Sequence, residues 1–459
     1  MLSNLSAKKK RRLYLFVFLA AVFAFIMCWA CIQPLNSSPD ESMRYDIVKY
    51  ILNHGCLPDG RDPEIRNEIW GISYGFYPIL AYMLMVIPAK IVSFFTTDTM
   101  AIVIAARLVN AIFGTLMAYF VFRISEMLFK DKAKYLFTVL VTFLPGVIFV
   151  HSYINNDSMA IFSGAWIIYA WIRSMKEGWT WKICVHLSLA IAVCALSYYN
   201  AYGYILCSII FFFTTILIGN QVENKAKYVA ARTALIVILV LALISWWFIR
   251  NYMLYDGDFL GWNVTTKYAE MYAMDGYKPS QRDNLAQNGY SVWDLLKMRG
   301  TFSGNWTLTV MISFVGTFGF LNILMPYWLS YIYLAVIFIG VIGIFCSLRK
   351  TFAVTKKCEN RRTLRKLGVF HWMLMLMIII TIALLIYYNL YSDLQAQGRY
   401  LLPMAVPLMI FVTKGIQRLL SIFVKNEKTR DRIYVILSIV FIFLAVYTYI
   451  TVFYPAYVS

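Results

Sequence analysis

Acid is scarce in this chain. Only 23 of its 459 residues are Asp or Glu, and charged residues of both signs make up 14%, well short of the roughly one quarter used by an average soluble domain. With 61% apolar and 17% aromatic residues and a mean hydropathy of +0.66, an ordinary soluble globule is excluded, because most of the length would have to fit inside one core. The chain reads as an all-α polytopic membrane protein. Its eight cysteines are scattered, mostly through apolar segments, so neither a disulfide framework nor a metal site is indicated. Cys28 and Cys31 form a CxxC at the end of the first apolar stretch, where they read as small apolar filler. Low-complexity tracts are absent, and so is the internal repeat that marks inverted-repeat transporters.

What is abundant is positive charge, with a net +19. Six segments, the amino-terminal tail and residues 123–134, 173–182, 223–232, 349–366 and 414–432, hold 29 of the 42 Lys and Arg but 7 of the 23 acids. That is the positive-inside pattern, which assigns these segments to the cytoplasm and leaves no need for a nucleic-acid partner. The stretch 13–35, behind the basic run 8–12, is longer than a signal h-region and is read as a retained first span. The other spans fall at about 100–122, 135–153, 157–175, 182–200, 201–219, 229–252, 326–348, 369–391, 400–420 and 433–453, giving eleven helices with the amino terminus inside. Residues 73–95 are also long enough to cross, but crossing would invert every later loop, and Pro78, Pro88 and Lys90 interrupt them. They are expected as a juxtamembrane or re-entrant helix on the outer face. Three parts follow: a transmembrane module 1–253 with a first outer loop 36–99, an outer loop 254–325 ending in an interfacial helix, and a transmembrane module 326–459.

The few acids on the outer side carry the functional signal. Ser38-Pro39-Asp40-Glu41 fits a helix start, with Ser38 as N-cap, Pro39 in the first helical position and Glu41 reaching back in a capping box. Met43, Ile47, Val48 and Ile51 then share one face, and Gly55 is the expected C-cap. Capping gives Glu41 a structural task and leaves the Asp40 carboxylate free, ionised at a helix amino terminus, as a general base or metal ligand requires. The plainer alternative, that both acids cap the helix, stays open. Asp157, in the tight turn after the third span, either caps the fourth span or serves a site, since a charge this close to hydrocarbon is costly without a role. Asn156 lies beside it, and His151, one turn earlier, either lines the same cavity or is a hydrogen-bonded core histidine. Arg107, Arg250 and Arg399 stand against the positive-inside trend, and together they suit an anionic group at the membrane face, because the guanidinium fork matches phosphate oxygens. Arg399 is favoured among them, since Gln397, Gly398 and Tyr400 flank it with groups suited to a polar ligand.

In order along the chain, PDE at 39–41, NND at 155–157, RNY at 250–252 and QGRYLLP at 397–403 resemble the GT-C superfamily of polytopic glycosyltransferases, and most closely a bacterial group of predicted membrane proteins distantly similar to aminoarabinose transferases and protein O-mannosyltransferases. The resemblance covers nearly the whole chain. It implies a GT-C-like fold with outer-face juxtamembrane helices, in the bacterial cytoplasmic membrane with the site outside. It further implies an inverting transfer of sugar from a polyprenyl-phosphate donor to a cell-envelope glycan, lipid or protein acceptor. Carried over by position, Asp40 is the base, Asp157 the second acid and Arg399, with Arg250 and Arg107, a donor-phosphate contact; Glu41, Asn156, His151, Gln397 and Tyr400 support them. At residue 78 a single proline stands where better-known members often carry a pair. No cofactor is implied and a divalent metal is left open. The competing class is a flippase, transporter or scaffold for envelope glycans, which predicts charges deep in several spans. A glycan polymerase or ligase would share the site but use another donor.

Overall fold

The computed structural model describes residues 6–219, 224–300, 304–352 and 361–458. Most of them are helical. The first half holds α1 (Ala7–Ile32), α2 (Glu41–His54), α3 (Leu80–Ser93), α4 (Thr99–Leu128), α5 (Ala133–Thr142), α6 (Pro145–Val150), α7 (Asp157–Glu177), α8 (Trp181–Ala195), α9 (Gly203–Gly219) and α10 (Lys225–Leu254). A long connection carries α11 (Trp262–Tyr272), α12 (Val292–Lys297) and α13 (Trp306–Gly316). The chain closes with α14 (Tyr327–Phe345), α15 (Leu348–Phe352), α16 (Arg361–Tyr391), α17 (Ala405–Phe423), α18 (Glu427–Thr448) and α19 (Pro455–Val458). Between α13 and α14, strands β1 (Thr317–Phe318) and β2 (Ile323–Leu324) pair antiparallel, Thr317 opposite Leu324 and Phe318 opposite Ile323.

Among the described residues, eight helices are long and apolar enough to cross a bilayer, so the expected count of eleven is not reached. The segment 135–153 breaks into α5 and α6 at Leu144, because Pro145 has no N–H to continue the ladder of α5. α8 has 15 residues, about 22 Å at 1.5 Å per residue, against a hydrocarbon core of about 30 Å. α7 has 21 residues but is not among the eight; Asp157, Ser158, Ser163 and Ser174 dilute its apolar surface, and all four are buried. α3, which carries most of 73–95, has 14 residues, about 21 Å, and packs on α2 and α4.

α4 is the hub of the first half, contacting α1, α3, α5 and α7. Basic connections gather at one end of this framework: Arg11 Nε donates to Glu126 at 2.7 Å, Lys132 N to Asp431 at 3.0 Å and Gln417 Nε2 to Asp131 at 2.8 Å. The basic segments 349–366 and 223–232 and the amino-terminal tail fall in part outside the described residues. Because α1 has 26 residues, about 39 Å, the start of α2 lies at the opposite end from the basic tail.

In the second half, α14 and α17 cross with their backbones nearly touching. A Cβ built on Gly415 would stand 1.7 Å from the Gly340 carbonyl oxygen, and one on Gly343 would stand 2.2 Å from the Gly415 oxygen. Small residues permit this approach, as is usual for helices that cross in lipid. Gly415→Val is expected to push the helices apart and destabilise the fold by about 1–3 kcal/mol, read as a lowered unfolding midpoint in detergent. An unchanged midpoint would show that the two backbones do not meet here.

Candidate active site

The start of α2 organises the site, though not by the expected cap. Ser38 Oγ donates to Gln33 Oε1 at 2.7 Å rather than capping the helix, and Asp40 is the N-cap, in the left-handed region at φ 60°, with no side-chain cap bond. Glu41 does not close a capping box. It meets Arg107 in a bidentate pair, Nε to Oε1 at 2.8 Å and Nη2 to Oε2 at 2.7 Å, with both side chains fully buried. Arg107 also donates to the carbonyls of Ala30, Gln33 and Pro34, and Glu41 Oε1 accepts from Ile154 N at 2.9 Å. All five N–H groups of the guanidinium are thus used, leaving no donor for a phosphate. The pair ties together the end of α1, the start of α2, the first third of α4 and the turn before α7. The far end of α2 is as expected, with Gly55 at φ 67° and its N–H bonded to Ile51 O.

Asp40, Asp157 and Arg399, far apart in sequence, come together here. Arg399 Nη2 donates to Asp40 Oδ2 at 2.9 Å. Arg44, one turn into α2, links the two acids: its Nη2 lies 3.7 Å from Asp40 Oδ2 and its Nη1 donates to Asp157 Oδ2 at 3.2 Å. Tyr74 covers Arg44, whose Cζ stands 4.7 Å from the ring centroid. The Arg44 and Asp157 side chains are 1% and 6% exposed and that of Asp40 is 31% exposed, so of the two acids Asp40 is the one open to solvent. Burial by itself would raise the Asp40 pKa; the Arg399 and Arg44 guanidinium groups outweigh it and hold the carboxyl below the ordinary carboxylate range.

Sequence reasoning missed Arg44 and Tyr74. The i, i+4 spacing of Asp40 and Arg44 was a usable signal. Nothing in the spacing of Tyr74 pointed to this contact.

The other expected residues sort by contact. Asp157 does not cap α7, since Asn155 Oδ1 accepts from Ser158 N at 2.8 Å in that role. Asn156 turns to Ser197, donating to its carbonyl at 3.1 Å. His151 is fully buried beside Gly114, with neither ring nitrogen hydrogen-bonded among the described residues; it is a core residue without the expected bonds. Arg250 donates to Pro58 O at 2.6 Å, which holds the 57–61 loop and not the Asp40 cluster. Tyr400 Oη accepts from Arg399 Nη2 at 3.2 Å and donates to Gln395 at 2.7 Å, and Gln397 also bonds Gln395. Gly398 serves protein packing instead of ligand approach: a Cβ there would stand 2.0 Å from Phe314 N, and its own N–H donates to Ser313 Oγ at 2.7 Å.

A narrow cleft with a cavity volume of about 20 Å³ opens beside this cluster, lined by Tyr153, Thr317, Gln397 and Arg399 on its polar side and by Pro39, Phe149, Leu321 and Leu402 on its apolar side. Arg399 Nε and Nη1, Thr317 Oγ1 and Gln397 Oε1 are buried and have no hydrogen-bond partner among the described residues, and the Tyr153 hydroxyl faces Arg399 beside them. Buried polar atoms without partners are costly and uncommon, and here they converge on one cleft. Three of these four can donate, so the chemistry they suit is that of an oxyanion. Among the described residues no three His, Cys, Asp or Glu side chains stand close enough to share a metal ion.

A family model described as "predicted membrane protein (DUF2142)" matches residues 64–408. The chain belongs to this family. Asp157 and Arg399 lie inside the matched segment of this DUF2142 protein, and Asp40 and Arg44 precede it. No curated protein matches the sequence. Solved structures do resemble the fold. The oligosaccharyltransferase of Archaeoglobus fulgidus in its apo form superposes with a TM-score of 0.55 at 12% identity, over 96% of this chain and 55% of the other. The same organism's AglB, in complex with an inhibitory peptide and a dolichol-phosphate, gives 0.54 at 14% identity, over 96% and 56%. ArnT of Cupriavidus metallidurans, bound to undecaprenyl phosphate, gives 0.50 at 13% identity, over 88% and 60%. The DUF2142 chain spans somewhat more than half the length of these proteins, and the likeness establishes the GT-C membrane fold.

Proposed function

We propose that this DUF2142 protein is an inverting glycosyltransferase that moves a sugar from a polyprenyl-phosphate carrier to a cell-envelope glycan, lipid or protein at the outer face of the cytoplasmic membrane. One observation carries the reading: Arg399 touches Asp40 through Nη2 while its Nε and Nη1 are unpaired beside the cleft, so one side chain joins a carboxylate to an anion site. The lipid phosphates held by AglB and ArnT in their solved structures agree with that chemistry. The basic connections and the Asp40 cluster stand at opposite ends of the helices, which supports an outward-facing site.

In this mechanism Asp40 takes the proton of an acceptor hydroxyl as its oxygen attacks the anomeric carbon opposite the lipid phosphate. The bond from that carbon to the phosphate oxygen breaks, its electron pair leaves on the phosphate, and the configuration inverts. Arg399 stabilises the charge that develops there. A phosphate drawing on Arg399 weakens the grip on Asp40, so carrier binding raises the basicity of the carboxylate just where the acceptor arrives. Arg44 positions Asp40 and holds Asp157. No second acid is needed, because phosphate is already a good leaving group.

The test is transfer of labelled sugar from polyprenyl-phosphate donors to membrane acceptors by the full chain in vesicles. Arg399→Gln is expected to lower the rate about 10²–10³-fold, the usual loss when one donor to a developing anion is removed. If the wild-type chain carries labelled lipid across the bilayer and never transfers the sugar, a flippase replaces this reading.

A further inference from the structure

The turn between β1 and β2 combines a left-handed leucine with an exposed phenylalanine. Leu321 sits at φ 65°, a left-handed conformation that bulky residues rarely adopt and that persists only where the surroundings enforce it, commonly at ligand clamps. Phe320 beside it is 54% exposed. The base of the turn is rigid by contrast: the buried Phe318 ring meets Trp29 at 5.0 Å and Phe149 and Phe453 at 5.4 Å each. Gly319, at φ 59°, holds a backbone conformation that side-chain-bearing residues rarely adopt.

The position of the turn indicates its use. Leu321 and Gly319 line the same cleft as Arg399 and Thr317, so the unpaired donors and the apolar tip are walls of one space. Met325 and Pro326 alone separate β2 from α14, one of the candidate spans, which places the tip where hydrocarbon begins. Resting on the carrier reading above, we propose that Phe320 and Leu321 seat the first isoprene units of the carrier and direct its chain from the phosphate into the bilayer. The strained Leu321 backbone then turns an apolar side chain toward the headgroup, and Phe320 covers the chain from the solvent side.

Binding to the full-length chain in nanodiscs tests this with two probes, undecaprenyl phosphate and inorganic phosphate. The double variant Phe320→Ser, Leu321→Asn removes the apolar surface with a residue that tolerates the left-handed region. It is expected to weaken undecaprenyl phosphate about tenfold or more and to leave inorganic phosphate unchanged. Phe320→Leu is expected to retain both. Equal affinity of the double variant and the wild type for undecaprenyl phosphate overturns the proposal. Undiminished binding of both probes by Arg399→Gln overturns the carrier reading beneath it, so the two failures are distinguishable.

Discussion

Replacing Asp40 by asparagine is expected to lower sugar transfer about 10²–10⁴-fold, the range a positioned general base supplies, with the fold intact. The fold survives because Asp40 makes no cap bond and keeps nearly a third of its side chain in solvent, while the neighbouring Glu41 locks the helix start. An Asp40→Asn protein that unfolds at the wild-type midpoint and transfers at the wild-type rate would remove the carboxylate from the mechanism. Asp40 also sets an expectation for pH. Its carboxyl is held below the ordinary range, against burial, by Arg399 and then Arg44, so activity in the wild type is lost only as pH falls through that lowered value. Removing the Arg399 charge leaves burial less opposed, and the acid limb of the residual Arg399→Gln activity is expected at higher pH. The linked stability has the same sign: the ion pair contributes above the unfolded carboxyl value of about 3.9 and is lost on acidification.

The largest effect on stability is expected one residue away. Glu41→Ala or Arg107→Ala strands a fully buried charge, and breaking a buried pair by removing one partner costs about 3–5 kcal/mol. The unfolding midpoint in detergent is the measurement, and both variants should drop because each leaves the other's charge uncompensated. Arg107 loses more besides, since it also satisfies three backbone carbonyls at the end of α1. A Glu41→Gln protein of normal stability that cannot transfer sugar would reverse the roles of the two acids.

Adjacent acids with opposite tasks are hard to read from a linear sequence, and the errors here are instructive. Capping rules assigned Glu41 a structural task through the wrong partner, because a capping box is a local motif and Arg107 is 66 residues away. They placed Ser38 at the N-cap, whereas the buried amide of Gln33 takes its hydroxyl. Three arginines against the charge trend looked alike by position, yet one is saturated by Glu41 and carbonyls, one holds Pro58, and one keeps free donors beside a cleft. Counting apolar residues gave eleven spans, but Pro145 cuts one of those segments and others are too short or too polar, so eight stand out by length and hydropathy together.

The sequence by itself determined that this is a helical membrane protein, which ends of its helices carry positive charge, and that the candidate acids sit at the other end. These are one-dimensional properties, set by the transfer of each stretch between water and hydrocarbon and legible in averages over some twenty residues. Only the tertiary structure decided which charge meets which. Asp40 meets an arginine 359 positions away and Asp157 meets an arginine on α2, because pairing energy depends on separations of a few ångströms that chain order does not encode. The division of labour between Asp40 and Glu41 is likewise a matter of burial: one pair is closed off from water, and the other borders a cleft.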